Sequence, residues 1–191
     1  LVLFGIAVSG SLAAQQVTIP IETNGHALVL QTDKSNVLHS VYFGKRLTDA
    51  REYATVSSGY NYKDDNAGIY DAAYTPAGTW NLSEPAIQVT HADGNRSLDL
   101  QYIRHVVSPV DDNTTVTTIV LKDPLYAFEV SLVYKVWKKE NVVEQYTEIR
   151  HSEKAAVTLR KYASANLYFS QKETYLTTYN SGWAREMQPG E

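Results

Sequence analysis

The chain has 191 residues and 21.3 kDa, with 43% hydrophobic and 20% charged side chains, a length that suits one domain and a composition that argues against disorder. A net charge of −4 offers no electrostatic basis for binding nucleic acid or an anionic membrane. Cysteine is absent, which excludes disulfides, thiolate metal sites and a cysteine nucleophile together. Fourteen tyrosines in a Thr- and Val-rich background favour β structure over helix.

Leu1–Val8 (LVLFGIAV) is a short apolar run, followed by the small-residue stretch Ser9–Ala14. This pattern predicts a signal-peptide remnant over residues 1–14, with Ser11-x-Ala13 as the small-x-small site and export to the periplasm or the cell exterior as the consequence. A buried N-terminal strand is the alternative reading. The run is well short of the ~20 apolar residues of a membrane span.

From residue 15 onward the pattern is that of strands. His26–Gln31 and Leu38–Phe43 form a candidate pair. Residues Thr48–Asn81 make a long irregular stretch rich in Tyr and Trp, and its aromatic content predicts an ordered loop. Such rings either stack on the apolar faces of sugars or pack beneath the loop. The turn His91–Asn95, with Asp93-Gly94 at its tip, leads into a strand over Ser97–His105. Thr114–Leu121 is β-branched between two turn signals, Asp111-Asp112-Asn113 and Lys122-Asp123-Pro124. In Tyr126–Trp137, the residues Phe128, Val130, Leu132, Tyr134 and Val136 fall on one face, as in a strand with one strongly buried side. Val142–Arg150, Ala156–Arg160 and Asn166–Ser170 complete the candidate strands, whereas 182–191 shows no evident strand or helix. Turn signals about every 8–12 residues predict an all-β antiparallel sandwich.

Little of the familiar catalytic chemistry is present. Histidines 26, 39, 91, 105 and 151 lack metal-ligand spacing, so no metal and no cofactor is expected. There is no Gly-x-Ser-x-Gly elbow, phosphate loop or dinucleotide fingerprint. Asp64-Asp65 and Asp111-Asp112 sit in turn-rich sequence, where adjacent side chains diverge, which disfavours a paired-carboxylate role. Asn81, Asn95 and Asn113 open N-glycosylation sequons that matter only in a eukaryotic secretory path.

Several blocks, taken in order, resemble the N-terminal β-supersandwich domain of glycoside hydrolase family 36. They are Glu84–Val89, His91-Ala92-Asp93-Gly94, Leu98–His105, Val130–Trp137 with Glu140–Val143, Ile149-Arg150-His151, and Ser181-Gly182-Trp183-Ala184-Arg185-Glu186. The last is similar to the family's Gly-Ala-Trp-Ala-Arg-Glu segment. The resemblance spans roughly 17–187 and implies a division into a sandwich domain at 15–180 and, at 181–191, the start of a linker to a (β/α)8 catalytic barrel. It implies part of a retaining α-galactosidase, with both catalytic aspartates in that barrel, so that the chain alone is inert. The α-galactoside substrate and the chain's own barrel are the implied partners, with homo-oligomerisation as a further one. Where the family reads Gly-Thr-Gly-Asp-Phe-Arg, this chain reads Gly78-Thr79-Trp80-Asn81-Leu82-Ser83. In oligomeric members that Asp lies at the rim of a neighbouring subunit's sugar site, which makes Trp80 and Asn81 the candidate substrate contacts; packing of this loop is the alternative. Trp183 and Arg185 are the candidate docking residues at the domain junction. A stand-alone carbohydrate-binding or oligomerising sandwich is the other functional reading.

Overall fold

Two antiparallel sheets enclose the core, and the reason is visible strand by strand. The computed structural model describes residues 16–57, 71–78, 84–169, 175, 177–182 and 185–190. Strands β1 (Thr18–Glu22), β2 (His26–Thr32) and β3 (Leu38–Lys45) form one sheet in chain order. Strands β5 (Gln101–Pro109), β6 (Thr114–Lys122), β7 (Phe128–Trp137) and β8 (Val142–His151) form the other, a meander of consecutive antiparallel neighbours. Two ribbons accompany them: β4 (Ile87–Thr90) with β9 (Thr158–Tyr162), and β10 (Thr178–Gly182) with β11 (Arg185–Gly190). The architecture is the expected all-β sandwich.

Alternation along β7 sets the buried layer. Phe128, Val130, Leu132, Tyr134 and Val136 are each no more than 2% exposed, and they meet Ile19, Ile21 and Leu30 of the first sheet, with Ile119 and Leu121 of β6 and Ile87 and Val89 of β4. Fully burying a side chain such as Leu132 contributes about 2 kcal/mol. Tyr134 keeps its hydroxyl in this layer, and burial pushes its ionisation far above the usual phenol range. Register shifts at Val29/Leu30, Gln88/Val89, Tyr102/Arg104 and Asn180/Gly182 mark irregularities in four of the strand pairs, of the kind that bends and twists a strand locally.

The differences from expectation are local. Strand β1 was not anticipated: it is short and contains Pro20, which sits exposed on an edge strand where no ladder donor is required. The strand expected from Ser97 begins at Gln101, because the amides of Ser97, Leu98 and Asp99 are taken by Asn95 Oδ1, Ala77 O and Asp123 Oδ2. Residues 166–169 are not a strand: the Asn166 amide inserts to donate to Ala72 O and Thr75 Oγ1. The β10–β11 hairpin occupies the stretch where no strand was expected, and it spans most of the segment read as a linker.

Within the long irregular stretch, Ala50–Thr55 is a 3-10 turn whose cap, Asp49, accepts from the Arg51 amide. Tyr53 is buried and its hydroxyl donates to Glu22 Oε1 at 2.8 Å. Tyr74 is buried too, donating to Ala163 O at 2.7 Å. These two aromatics pack inward. The candidate signal segment 1–14, and Tyr60, Tyr62, Asp64, Asp65 and Tyr70, lie outside the described residues. No helix among the described residues is long and apolar enough to cross a membrane.

Candidate functional site

Trp80 and Asn81, the candidate substrate contacts, lie outside the described residues, as does Trp183. Arg185 is placed by its backbone, which pairs with Gly182 at the closed end of the β10–β11 hairpin. What the structure does describe is the frame on both sides of segment 79–83. On the entry side Ala77 N donates to Ile87 O at 2.9 Å, and Ala77 O accepts from Leu98 N at 3.1 Å. On the exit side Ala86 N donates to Thr75 O at 2.8 Å. Gly78 is indispensable here: its φ is +95°, and a Cβ would stand 2.5 Å from Ser97 Cα. The two stems are thus spliced to β4 and to segment 96–98, a rigid base of the kind that presents functional loops. Glu84 pairs with Lys161 of β9 across the exit stem, an exposed contact that adds little stability.

Behind Ser97 stands a buried polar node. The His91 ring places Nε2 3.1 Å from Ser97 O and Nδ1 2.8 Å from Glu153 Oε1. Both neighbours are acceptors, so each ring nitrogen faces a group that takes an N–H. Glu153 Oε2 accepts from Ala92 N at 2.9 Å. Burial alone would raise the Glu153 carboxyl, but the Ala92 amide and the His91 ring outweigh it and hold it below the usual range. The Tyr126 ring stacks on His91 with centroids 3.6 Å apart and an 8° tilt, and Phe128 meets it edge-on at 5.9 Å. The Tyr126 hydroxyl donates to Asp93 Oδ2 and accepts from Asn95 Nδ2. Gly94, at φ +88° with open space around its Cβ position, turns the chain between them as the Asp-Gly signal predicts. A hollow of about 120 Å³ beside Gly78 is lined by Asn95, Ser97, Asp99, Asp123 and Tyr126.

A second node lies at the other sheet. His39, 5% exposed, places Nδ1 3.0 Å from Asp71 Oδ1 and Nε2 3.4 Å from Asp33 Oδ2. Burial acts to lower the His39 pKa, but the hydrogen bond and charge of Asp71, joined by Asp33, exceed it and raise it above the usual imidazole value. Spacing in sequence shows only that the histidines lack a metal-ligand pattern. The structure instead pairs two of them with carboxylates 32 and 62 residues away, a separation that leaves no local signal. Among the described residues no group of three or more His, Asp or Glu could hold a metal ion.

The other carboxylates of the turns are committed to main-chain amides. Asp111 Oδ1 accepts from Asn113 N and Thr114 N, and these bonds hold its carboxyl below the usual range. Asp123 accepts from Leu125, Tyr126 and Asp99 amides. They shape turns, as the sequence reading of Asp111-Asp112 anticipated. The sequon residues Asn95 and Asn113 are similarly occupied, Asn95 with Tyr126 and Ser97, Asn113 with Lys139 and Glu140. A larger cleft of about 540 Å³ opens between the sheets, lined by Leu28, Phe43, Val143, Gln145, Leu167 and Phe169 among others. Phe43 and Phe169 meet edge to face there, with centroids 5.7 Å apart.

Comparison with known proteins accounts for this scaffold. The chain is 22% identical over 182 residues to α-galactosidase Mel36A of Lactobacillus acidophilus, a match covering 83% of this chain and 25% of that protein. Among solved structures it is similar to the α-galactosidase of Lactobacillus brevis, at 17% identity and a TM-score of 0.78, covering 94% of this chain and 28% of that one. It is also similar to a variant of the family 36 α-galactosidase AgaA from Geobacillus stearothermophilus in complex with raffinose, at 22% identity and a TM-score of 0.64, covering 78% and 24%. The chain therefore spans about a quarter of the length of these relatives. Residues 36–191 match the model of the glycosyl hydrolase family 36 N-terminal domain, and the chain belongs to that family.

Proposed function

We propose that this chain is the non-catalytic N-terminal domain of a retaining α-galactosidase that releases terminal α-D-galactosyl residues from oligosaccharides of the raffinose type. The observation that carries the reading is the match to the family 36 N-terminal domain over residues 36–191, in a chain a quarter as long as the α-galactosidases it resembles. Retaining hydrolysis needs two carboxyl groups about 5–5.5 Å apart, one to attack the anomeric carbon and one to protonate the leaving oxygen. The described carboxylates of the candidate site are tied to amides, to histidines, to Tyr126 or, for Glu84, to Lys161. The domain thus supplies position rather than acid, base or nucleophile, and by itself is inert.

Its part in the reaction is to hold segment 79–83 on the rigid frame of Gly78, Ala86 and Ile87, with Trp80 and Asn81 at the rim of a sugar site. Trp183 and Arg185 contribute to the junction with the catalytic barrel. The exposed side chains of Leu159, Tyr162, Leu167, Tyr179 and Met187 supply apolar surface suited to such a contact. The apolar segment at the N-terminus directs export to the periplasm or the cell exterior.

The test is to assay the full-length polypeptide and the 16–191 fragment on an aryl α-galactoside and on raffinose, following the anomeric configuration of released galactose by NMR. The full-length protein is expected to turn both over with retention, and the fragment neither. A full-length protein inert on α-galactosides, or a fragment that hydrolyses them, overturns the reading. The cleft of about 540 Å³ between the sheets, a size and lining common in ligand sites, favours a second reading as a sugar-binding module. That reading requires saturable galactoside binding by the isolated fragment in calorimetry.

A further inference from the structure

Asn24-Gly25 is the single Asn-Gly dipeptide in the sequence. It forms the tip of the β1–β2 hairpin, with Asn24 exposed and Gly25 half-buried. Asparagine is chemically labile, and most so before glycine, where no side chain shields the next amide nitrogen from the carboxamide carbon. Here each main-chain amide from Thr23 to His26 is occupied. Thr23 N donates to His26 O and Asn24 N to Lys138 O, each at 2.9 Å. His26 N donates to Thr23 Oγ1 at 2.9 Å. Gly25 N, the would-be nucleophile, donates to Asn141 Oδ1 at 2.6 Å.

That last contact crosses 116 residues of sequence and depends on both partners. Asn141 has a φ of 56°, in the left-handed region that asparagine tolerates better than most residues. This conformation falls in the turn joining β7 to β8. At Gly25, a Cβ would stand 3.0 Å from Asn141 Oδ1, so the close approach that protects the amide favours the same glycine that exposes it to attack. Asn113 braces the same turn, accepting from Lys138 N at its main-chain oxygen and from Lys139 N at Oδ1, and donating to Glu140.

We propose that Asn24 is a spontaneous deamidation site and that Asn141 is its guard. In the reaction Gly25 N loses its proton and forms a bond to Asn24 Cγ. The Cγ–Nδ2 bond breaks and Nδ2 leaves as ammonia, closing a five-membered succinimide. Water then opens either carbonyl, to leave aspartate or isoaspartate at position 24, with no change of oxidation state. While the Gly25 N–H is held by Asn141 Oδ1, its proton is engaged, and ring closure must first break that bond. The isoaspartyl product lengthens the main chain by one methylene in a turn where each amide has an assigned partner, so modification loosens the contact between the β1–β2 and β7–β8 turns.

The test uses the full-length polypeptide aged at mildly alkaline pH, with the peptide containing residue 24 followed by mass spectrometry and isoaspartate by enzymatic methylation. Asn141→Gly keeps the left-handed backbone and removes the acceptor. It should speed conversion about five- to tenfold, the factor that one net hydrogen bond is worth to a barrier. Asn141→Asp keeps the acceptor and should age at the wild-type rate. Equal rates for Asn141→Gly and wild type overturn the proposal, as does an Asn141→Asp variant that ages as fast as Asn141→Gly. A measurement without variants guards against misfolding: native wild type should convert more slowly than the same protein in urea, and equal rates again overturn the assignment.

Discussion

His39 and His91 are both buried, both lie within hydrogen-bond distance of a carboxylate, and both join segments far apart in sequence. They differ in the donors and acceptors gathered around each. At the first node two aspartates face one ring, and their combined pull raises His39 despite burial. At the second, a main-chain amide and a ring face one carboxylate, and it is Glu153 that is lowered despite burial. The identity of the residues alone does not decide this; the count of donors and acceptors around each one does. The sign of the pH dependence follows. His39 is raised above 6.5, so its contribution to stability is complete below that value and is lost as pH rises through the folded-state pKa. Glu153 is lowered below 4.5, so its contribution is complete above that value and is lost as pH falls through the folded-state pKa.

The largest effect expected from breaking this comparison is that of His39→Ala. It leaves the Asp71 carboxylate, 1% exposed, without the imidazole, at a cost of about 3–5 kcal/mol. Urea unfolding near pH 6 reads the loss, and the decline of stability on the alkaline side should flatten with it. Glu153→Gln should cost less, about 1.5–3 kcal/mol, because the amide still offers one acceptor and one donor. Its signature is a shallower acid-side decline, the share of Asp111 and Asp93 remaining, with the alkaline side intact. An acid limb as steep as that of the wild type removes Glu153 from the account. Tyr126→Phe is the mildest change: it keeps the stack on His91 and deletes only the hydroxyl between Asp93 and Asn95. About 1 kcal/mol is expected, with the alkaline limb unchanged and the acid limb slightly shallower, because this hydroxyl is one of the groups that hold the Asp93 carboxyl below the usual range.

The same contrast between local and distant partners explains how far the sequence could be read. β7 was legible because its period-two pattern is a local record of one buried face: Phe128 through Val136 were placed on that face and are found there. Turns were legible where the signal lies within four residues, as at Asp93-Gly94 and Asp111–Asn113. Strand β1 was overlooked although Asn24-Gly25, between the alternating Ile19/Ile21 and Ala27/Val29, is a strong hairpin signal. Asn166 was placed in a strand because nothing nearby in sequence shows that its amide is taken by Ala72 and Thr75. The histidine nodes were invisible for the same reason, their partners being 32 and 62 residues distant. Family resemblance reached further than pattern, since it identified the domain, but three of the four residues it nominated, Trp80, Asn81 and Trp183, lie outside the described residues, and Arg185 is placed by its backbone alone.

The pairing of β4 with β9 has a consequence for the order of folding. The four strands of the meander, β5 to β8, are joined by short turns and need only local encounters, which form early and fast. β4 emerges before all of them, yet its partner lies beyond the last, so Ile87 must wait for Tyr162, and Thr90 for Thr158. His91–Glu153 and Thr90–Arg160 reinforce the same closure. Closing that loop as an open chain would carry the full entropy of some seventy residues, whereas a collapsed meander brings its own ends together. During synthesis the edge of β4 that pairs with β9 therefore stays open until the meander has left the ribosome, an interval in which an unpaired strand edge invites misassociation.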